Sequence, residues 1–495
     1  MTNTLYYGDN LEVLRKHIRD NSVDLCYIDP PFNSKRNYNQ IYNRIGAEDR
    51  AQAQAFTDTW EWDTRAIEGY REIIENAGNR FQAQTIELIK GLHSVLGEES
   101  LLAYVVSMTL RITEIHRVLT PTGSFYLHCD PTASHYLKLV LDSVFLPEGG
   151  DFKNEIIWHY KRWPAVSKHF QEMHDVIFFY AKQLGENVFN VALQPLTPGT
   201  NKRWRGQKSR VEFIEGVRQV TQMTDEKSQG TPQDDVWDMP VINSQARERL
   251  GYPTQKPEAL LERIILASTN TGDLVLDAYC GCGTTIAVAQ SLNRKWIGMD
   301  ITYQSISLVL RRLEGTFGKD VSDRVTLDGI PQDMESAVAL ANKADDRLRK
   351  EFEKWALLTY TNNRAIINDK KGADRGIDGR AYFLTGKDEN AKIIFQVKSG
   401  GADRGDIAKL RGDMEREEAA LAVFITLEDP TGPMKREAKA VGLFRHEQMG
   451  KDYQRIQIVT VRKIVEDGAR LDIPMSLDVL KAAQRAVEDK QLPLP

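Results

Sequence analysis

The stretch 274-LVLDAYCGCGTTIAV-288 decides the fold class. Leu274 to Leu276 read as a buried strand ending on an acid, Asp277. Gly281 and Gly283 then permit a tight turn and a close backbone approach to a ligand. A helix opens near Thr284, its amide dipoles facing that ligand. The next apolar run, 295-KWIGMD-300, is a strand that ends on Asp300, an acid placed to accept hydrogen bonds from the two hydroxyls of a ribose. Strand, glycine turn, helix and strand make the repeating unit of an α/β domain with a largely parallel sheet. A dinucleotide would prefer a third small residue, completing G-x-G-x-x-G, but Ile286 stands there. S-adenosylmethionine has no phosphate and needs only adenosine and amino-acid contacts. The bland alternative is a plain tight turn between strand and helix. The acid before the turn, Thr284 and Thr285 after it, and the acid ending the next strand together outweigh it.

Far upstream, 25-LCYIDPPFNS-34 is a second strand that ends on an acid. The residue before a proline is pushed to an extended conformation, so Asp29 and Pro30 are both held extended. The Asp29 carboxylate and the Pro30 carbonyl can then stand as two fixed acceptors, which suits an amino group with two donor hydrogens. Pro31 stiffens the corner, and Phe32 offers a face for a planar ring. The ligand implied is adenine or cytosine. Its amine is a poor nucleophile, so the gain comes from positioning and electrostatics rather than a covalent intermediate. Within a duplex that amine is unreachable, and the base must be flipped out. An isolated D-P-P corner is more often a proline turn with an Asx cap; a cofactor turn in the same chain changes that weighting.

Other segments fit the same α/β alternation. "TLYYGDN" is a strand ending at Gly8 and Asp9, and "LEVLRKHIRD" has helical spacing. Helical patterns dominate from about 48 to 119, around Trp60 and Trp62. "GSFYLHCD", "NEIIWHYKR" and "HDVIFFYAK" read as strands and "SHYLKLVLDSVF" as a helix. Over 181–250 the periodicity fades and polar residues rise. There Lys202, Arg203, Arg205 and Lys208 surround Trp204, a cluster able to place cations on phosphates or base edges; a solvated charged loop reads equally well. The pattern resumes at 252-YPTQKPEALLERII-265. A charged helical stretch over roughly 330–353 leads to a strand-rich remainder.

The 495 residues imply two to four domains, with an ordinary 41% apolar content. A net charge of −5 shows no global basic field, though it averages over any local basic groove. The four cysteines are too few for a disulfide framework, and Cys280 with Cys282 lacks the second pair of a zinc site. No apolar run reaches membrane-spanning length and no signal-peptide pattern opens the chain, so the expectation is a soluble, cytoplasmic protein.

"DPPF" together with "DAYCGCGTT" resembles the amino-methyltransferases that act on DNA. The catalytic tetrapeptide precedes the cofactor turn, as in the circularly permuted β group, and several segments look like type III modification subunits. The resemblance covers roughly 4–315 and implies a Rossmann-like, S-adenosyl-L-methionine-dependent fold. It assigns Asp29, Pro30, Pro31 and Phe32 to the base. It places Asp9, Lys256, Asp277, Tyr279, Cys280, Gly281, Gly283, Thr284 and Asp300 around the cofactor, and 181–250 as the target-recognition region. The acid at position 29 favours adenine N6; the family uses serine there mostly on cytosine N4, which remains the alternative base. Phe32 replaces the commoner tyrosine and keeps the ring.

The segments 374-DRGIDGRAYF-383 and 393-IIFQVKSG-400 resemble the PD-(D/E)xK nucleases, more narrowly the Mrr-like group. Gln396 and Lys398 lie two apart on one strand and so share a face. Asp378 and Gln396 are candidate Mg²⁺ ligands, Lys398 can orient the attacking water, and Glu353 sits on the preceding helix. The resemblance implies a C-terminal α/β restriction-endonuclease-like domain that cuts DNA, or one that only binds it. The expected division is 1–325 methyltransferase, 326–345 linker and 346–495 nuclease-like. Double-stranded DNA is the expected partner, with a homodimer or a separate restriction subunit left open. A methyltransferase acting on RNA or protein, or a non-catalytic DNA-binding module, are the weaker readings.

Overall fold

The computed structural model describes residues 3–31, 60–161, 168–196, 198–205, 207–214, 217–243, 246, 248–250, 252, 254–342, 346–368, 376–385 and 390–473. Its centre is a nine-stranded sheet. From one edge the strands are Val236–Asp238, Asp151–His159, His174–Ala181, Leu119–Cys129, Val23–Ile28, Leu274–Asp277, Lys295–Asp300, Thr4–Tyr7 and Thr326–Asp328. His174–Ala181 runs against both neighbours, and every other neighbouring pair is parallel. The sheet is therefore largely parallel, with one reversed strand.

Parallel sheets need cover on both faces, and the alternation along Val23–Ile28 supplies it. Leu25 and Tyr27 enter one core with helices Glu258–Ser268 and Tyr303–Phe317. Cys26 and Ile28 enter the opposite core with helices Ser100–Val118 and Ser134–Phe145. Leu274, Val275, Leu276 and Asp277 are all buried. Full burial of an aliphatic side chain contributes about 1.5–3 kcal/mol, so this strand anchors the turn that follows it.

The order of strands brings distant segments together. Val275 and Leu276 pair with Leu25 and Cys26. Asp277 pairs with Gly298, and Asp300 with Tyr7. The carboxyl ends of four adjacent parallel strands thus carry Asp29, Asp277, Asp300 and, after Gly8, Asp9. In open α/β sheets ligands bind at that edge.

A five-stranded sheet forms the C-terminal unit: Ile366–Ile367, Gly379–Leu384, Asn390–Lys398, Leu421–Thr426 and Ile456–Thr460. The first three are antiparallel and the last three parallel. The stretch 326–345, expected as a linker and read as helical from about 330, holds the ninth strand of the first sheet and the helix Met334–Ala341. Asp333 caps that helix, and Ala337 and Ala341 are buried in the core shared by the two units. The stretch 181–250 also contains a hairpin, Gln207–Ile214 with Val217–Lys227. Among the described residues no helix is long and apolar enough to cross a membrane.

Candidate active site

One cleft opens at the carboxyl edge of the nine-stranded sheet and encloses about 1180 Å³ of empty space, its open mouth included. Asp9, Asp29, Pro30, Pro31, Lys256, Asp277, Tyr279, Cys280, Gly281, Thr284 and Asp300 all line it. The proline corner and the glycine turn are therefore two walls of a single site. Phe32 lies outside the described residues.

Asp29 follows the buried strand Val23–Ile28 and is itself mostly buried. Its Oδ2 is ion-paired with the Lys256 ammonium, while its Oδ1 is buried without a partner. A buried acceptor with no donor costs about 1–3 kcal/mol, and a ligand donor in the cleft would satisfy it. The resemblance places Lys256 beside the cofactor, yet its charged end rests on Asp29 of the proline corner.

Gly281 has φ +47 and Gly283 φ +73, the left-handed region that favours glycine. A Cβ on Gly281 would meet the Tyr252 ring at 3.1 Å. A Cβ on Gly283 would meet Val309 at 2.8 Å, and Gly283 does not line the cleft. The second glycine thus serves packing of helix Thr284–Ser291 on helix Tyr303–Phe317 rather than approach to a ligand. Thr284 faces the cleft but accepts a 2.8 Å hydrogen bond from Arg312.

Burial pushes the Asp277 carboxyl up to about 7; hydrogen bonds from Thr285 and the Tyr279 N–H oppose this, and the charges of Asp29 and Asp300 add to it. Burial likewise pushes Asp300 up to about 6. Asp300 accepts from the Gly281 N–H at 3.0 Å, and from the Thr302 N–H and hydroxyl at 2.9 and 3.0 Å. It therefore pins the turn as well as facing the cleft. Asp9 caps helix Asn10–His17 through the Leu11 N–H at 2.8 Å.

Sequence reasoning missed what holds Asp9. Arg111, from helix Ser100–Val118, donates to Asp9 at 3.0 Å and to Asn10 at 2.6 Å, and Asn10 donates to the Ala278 carbonyl at 2.8 Å. This network ties the acid after the first strand to the main chain after Asp277. An arginine in the middle of the apolar run 100-SLLAYVVSMTLRITEIHRV-118 was the available signal. Trp60 also lines the cleft, with a buried indole N–H that has no partner.

In the C-terminal unit Asp378 precedes the strand Gly379–Leu384, and its carboxylate accepts from the Val397 N–H at 2.7 Å. Burial raises Asp378 to about 6, with the Val397 bond and Lys350 opposing. Burial, followed by the Asp378 charge, raises Glu353 to about 7. Gln396 Oε1 is buried with no partner. Two carboxylates near each other and an orphaned carbonyl oxygen are the donors a hard divalent cation takes. No cluster of three or more His, Cys, Asp or Glu side chains able to hold a metal occurs among the described residues. Lys398 is held by Asp406 at 2.6 Å, a partner not read from the sequence.

Of the expected DNA contacts, Lys202 and Arg205 are exposed at the end of helix Pro198–Trp204, and Lys208 lies in the hairpin. The side chains of Arg203, Trp204 and Lys208 lie outside those described.

A largely parallel sheet with four acids at its carboxyl edge, and an unsatisfied acceptor in a cleft beside a glycine turn, is the arrangement of a ligand-binding α/β fold. The chain belongs to the DNA methylase family, whose model matches residues 23–311. A restriction endonuclease model matches residues 348–450. The chain is 29% identical over 312 residues to the DNA adenine methyltransferase YhdJ of Escherichia coli (strain K12), covering 63% of this chain and 82% of that one. It is 29% identical over 265 residues to the type II methyltransferase M.HpaI of Haemophilus parainfluenzae, covering 52% and 74%. Among solved structures, a putative DNA modification methylase of Thermus thermophilus, TTHA0409, complexed with S-adenosyl-L-methionine, overlaps with a TM-score of 0.36 at 16% identity, covering 66% of this chain and 99% of that one. The PvuII DNA methyltransferase (cytosine-N4-specific) overlaps with a TM-score of 0.38 at 14% identity, covering 66% and 95%.

Proposed function

We propose that this chain transfers a methyl group from S-adenosyl-L-methionine to the N6 amine of an adenine flipped out of double-stranded DNA. In this reading the C-terminal unit is a Mg²⁺-dependent nuclease acting on DNA. The observation that carries the methylation reading is Asp29 Oδ1, buried and unpaired in the cleft that also holds Asp277, Asp300 and the glycine turn.

A cationic adenosine derivative fits a cleft ringed by Asp9, Asp29, Asp277 and Asp300. Bound there, the cofactor supplies a methyl group on an electron-poor sulfur. Asp300 takes the ribose side, Asp9 the adenine side, and Asp277, Tyr279, Cys280, Gly281 and Thr284 the wall between, with Gly283 and Arg312 holding that wall in shape. Asp29 accepts one hydrogen of the target amine through Oδ1, and the Pro30 carbonyl accepts the other. Two such bonds draw the nitrogen toward a pyramidal shape and free its lone pair, so the rate gain is electrostatic and positional; the proton that the amine must lose on methylation leaves along its bond to Asp29 Oδ1 and passes to solvent. Pro31 keeps the corner rigid and Phe32 stacks on the base. Lys202, Arg203, Trp204, Arg205 and Lys208, which in the sequence precede or open the hairpin of Gln207–Ile214 and Val217–Lys227, are the residues that contact the DNA. Adenine, rather than cytosine, is favoured by the acid at position 29 and by the naming of YhdJ as an adenine methyltransferase. In the nuclease unit Asp378, Gln396 and Glu353 would hold Mg²⁺, and Lys398 would orient the attacking water.

The test is incubation of the protein with duplex DNA and methyl-labelled cofactor, followed by digestion to nucleosides and mass spectrometry. Label in N6-methyladenine is expected. Label confined to N4-methylcytosine would overturn the base assignment, and label in protein or RNA only would overturn the substrate class.

A further inference from the structure

We infer that Lys256 is a positioning residue for Asp29: it holds one carboxylate oxygen and leaves the other free for the target amine. This rests on the methyl-transfer reading above and assigns a role beyond it. The Lys256 ammonium is ion-paired with Asp29 Oδ2, and both side chains are largely buried, at 11% and 15% exposure. The same carboxylate leaves Oδ1 buried in the cleft with no donor. A carboxylate held at one oxygen by a cation is fixed in rotation, so its other oxygen stays aimed into the cleft. Without that cation the carboxylate is free to turn, and the acceptor is no longer held where the amine hydrogens arrive.

The chain before Lys256 is built to hold the ammonium in place. Gln255 accepts from the Leu250 N–H at 2.8 Å and donates to the Glu248 carbonyl at 2.5 Å. The Glu248 carboxylate in turn accepts from the Glu258 N–H at 2.9 Å, just after Pro257 caps helix Glu258–Ser268. The loop is thus tied at both sides of Lys256.

A second acid faces the same ammonium. Asp175 accepts from the Tyr160 hydroxyl at 2.9 Å and is paired with the buried His128 ring at 3.1 Å; His128 in turn meets the Tyr27 hydroxyl at 2.9 Å. Against burial, which raises it, the His128 bond and charge and then the Lys256 charge hold Asp175 down at about 2. Lys256 is thus ion-paired with Asp29 and close enough to Asp175 for its charge to act there as well.

The experiment compares wild type with Lys256→Met and Lys256→Arg. Single-turnover methyl transfer to duplex DNA and cofactor affinity by calorimetry are measured on the same full-length preparations. Lys256→Met is expected to lower the transfer rate on the order of 100-fold, with cofactor affinity changed by less than about threefold, which also reports a folded site. Lys256→Arg, which keeps the charge, is expected to recover most of the rate. Cofactor affinity falling in step with unchanged transfer rate would make Lys256 a cofactor ligand and overturn the assignment. Failure of arginine to recover the rate would overturn it too. Absence of adenine methylation by the wild type would instead sink the parent reading, so the two failures are distinguishable.

Discussion

The main-chain N–H of Tyr303 donates to the Glu351 carboxylate at 2.8 Å, joining the helix after Asp300 to the helix that carries Glu353. Glu351 is buried and also bonded to Lys354 at 3.1 Å. Tyr303 further meets Thr359 at 3.2 Å, and Arg364 is paired with Glu314 across the same contact. The DNA methylase unit and the restriction-endonuclease-like unit thus share a packed, polar-pinned core.

Removing the Glu351 carboxylate leaves the Tyr303 N–H without its acceptor and takes a carboxylate from the buried Lys354 ammonium. Glu351→Ala is expected to destabilise the protein on the order of 3 kcal/mol. Denaturant unfolding of the full chain checks this. A change below about 0.5 kcal/mol, the size of an ordinary surface substitution, would contradict it.

Cofactor affinity should depend on pH with a defined sign. Burial raises Asp300 to about 6 and Asp277 to about 7, so both carry protons in the folded protein at pH values where free carboxyls are already charged. A cationic ligand is attracted to the charged forms, so its affinity rises as pH climbs through that range. Calorimetry from about pH 5.5 to about pH 7.5 should show tightening on the order of 3- to 10-fold. Flat or falling affinity would contradict the environments assigned to these acids.

Mg²⁺ binding to the C-terminal unit should follow the same sign. Metal competes with protons, and Asp378 and Glu353 are raised to about 6 and about 7. Titration calorimetry with Mg²⁺ should show stronger binding at about pH 8 than at about pH 5.5, lost in Asp378→Ala. DNA cleavage should vanish in Asp378→Ala and in Lys398→Ala. Binding that survives Asp378→Ala would place the metal elsewhere.

Much of this was legible in the sequence because its signals are local. A buried strand ending on an acid and followed by a special turn reads the same wherever it falls, so Asp29, Asp277 and Asp300 can each be picked out in isolation. The pairing of Leu276 with Cys26 only has to bring them together. What escapes a sequence reading is relational. Arg111 is one cation in an apolar helix until the fold lays it against Asp9 and Asn10. Lys256 sits in a recognisable segment, yet nothing local shows that its charge reaches back to residue 29. Gly283 reads in the sequence as making room for a ligand, whereas Val309 is what crowds it. The hairpin within 181–250 has its own alternation at Val211 and Phe213, but the fall in apolar content around it hides the pattern. The stretch 326–345 looks like a linker because its buried face consists of small alanines among charges.

The central claim is that Asp29 acts on the target amine as an acceptor without holding the cofactor. The most direct measurement is single-turnover methyl transfer by Asp29→Ala, with cofactor affinity determined on the same preparation. The account predicts a loss of transfer of at least about 100-fold, with cofactor affinity within about threefold of wild type. Transfer to adenine persisting at the wild-type rate in Asp29→Ala would contradict it.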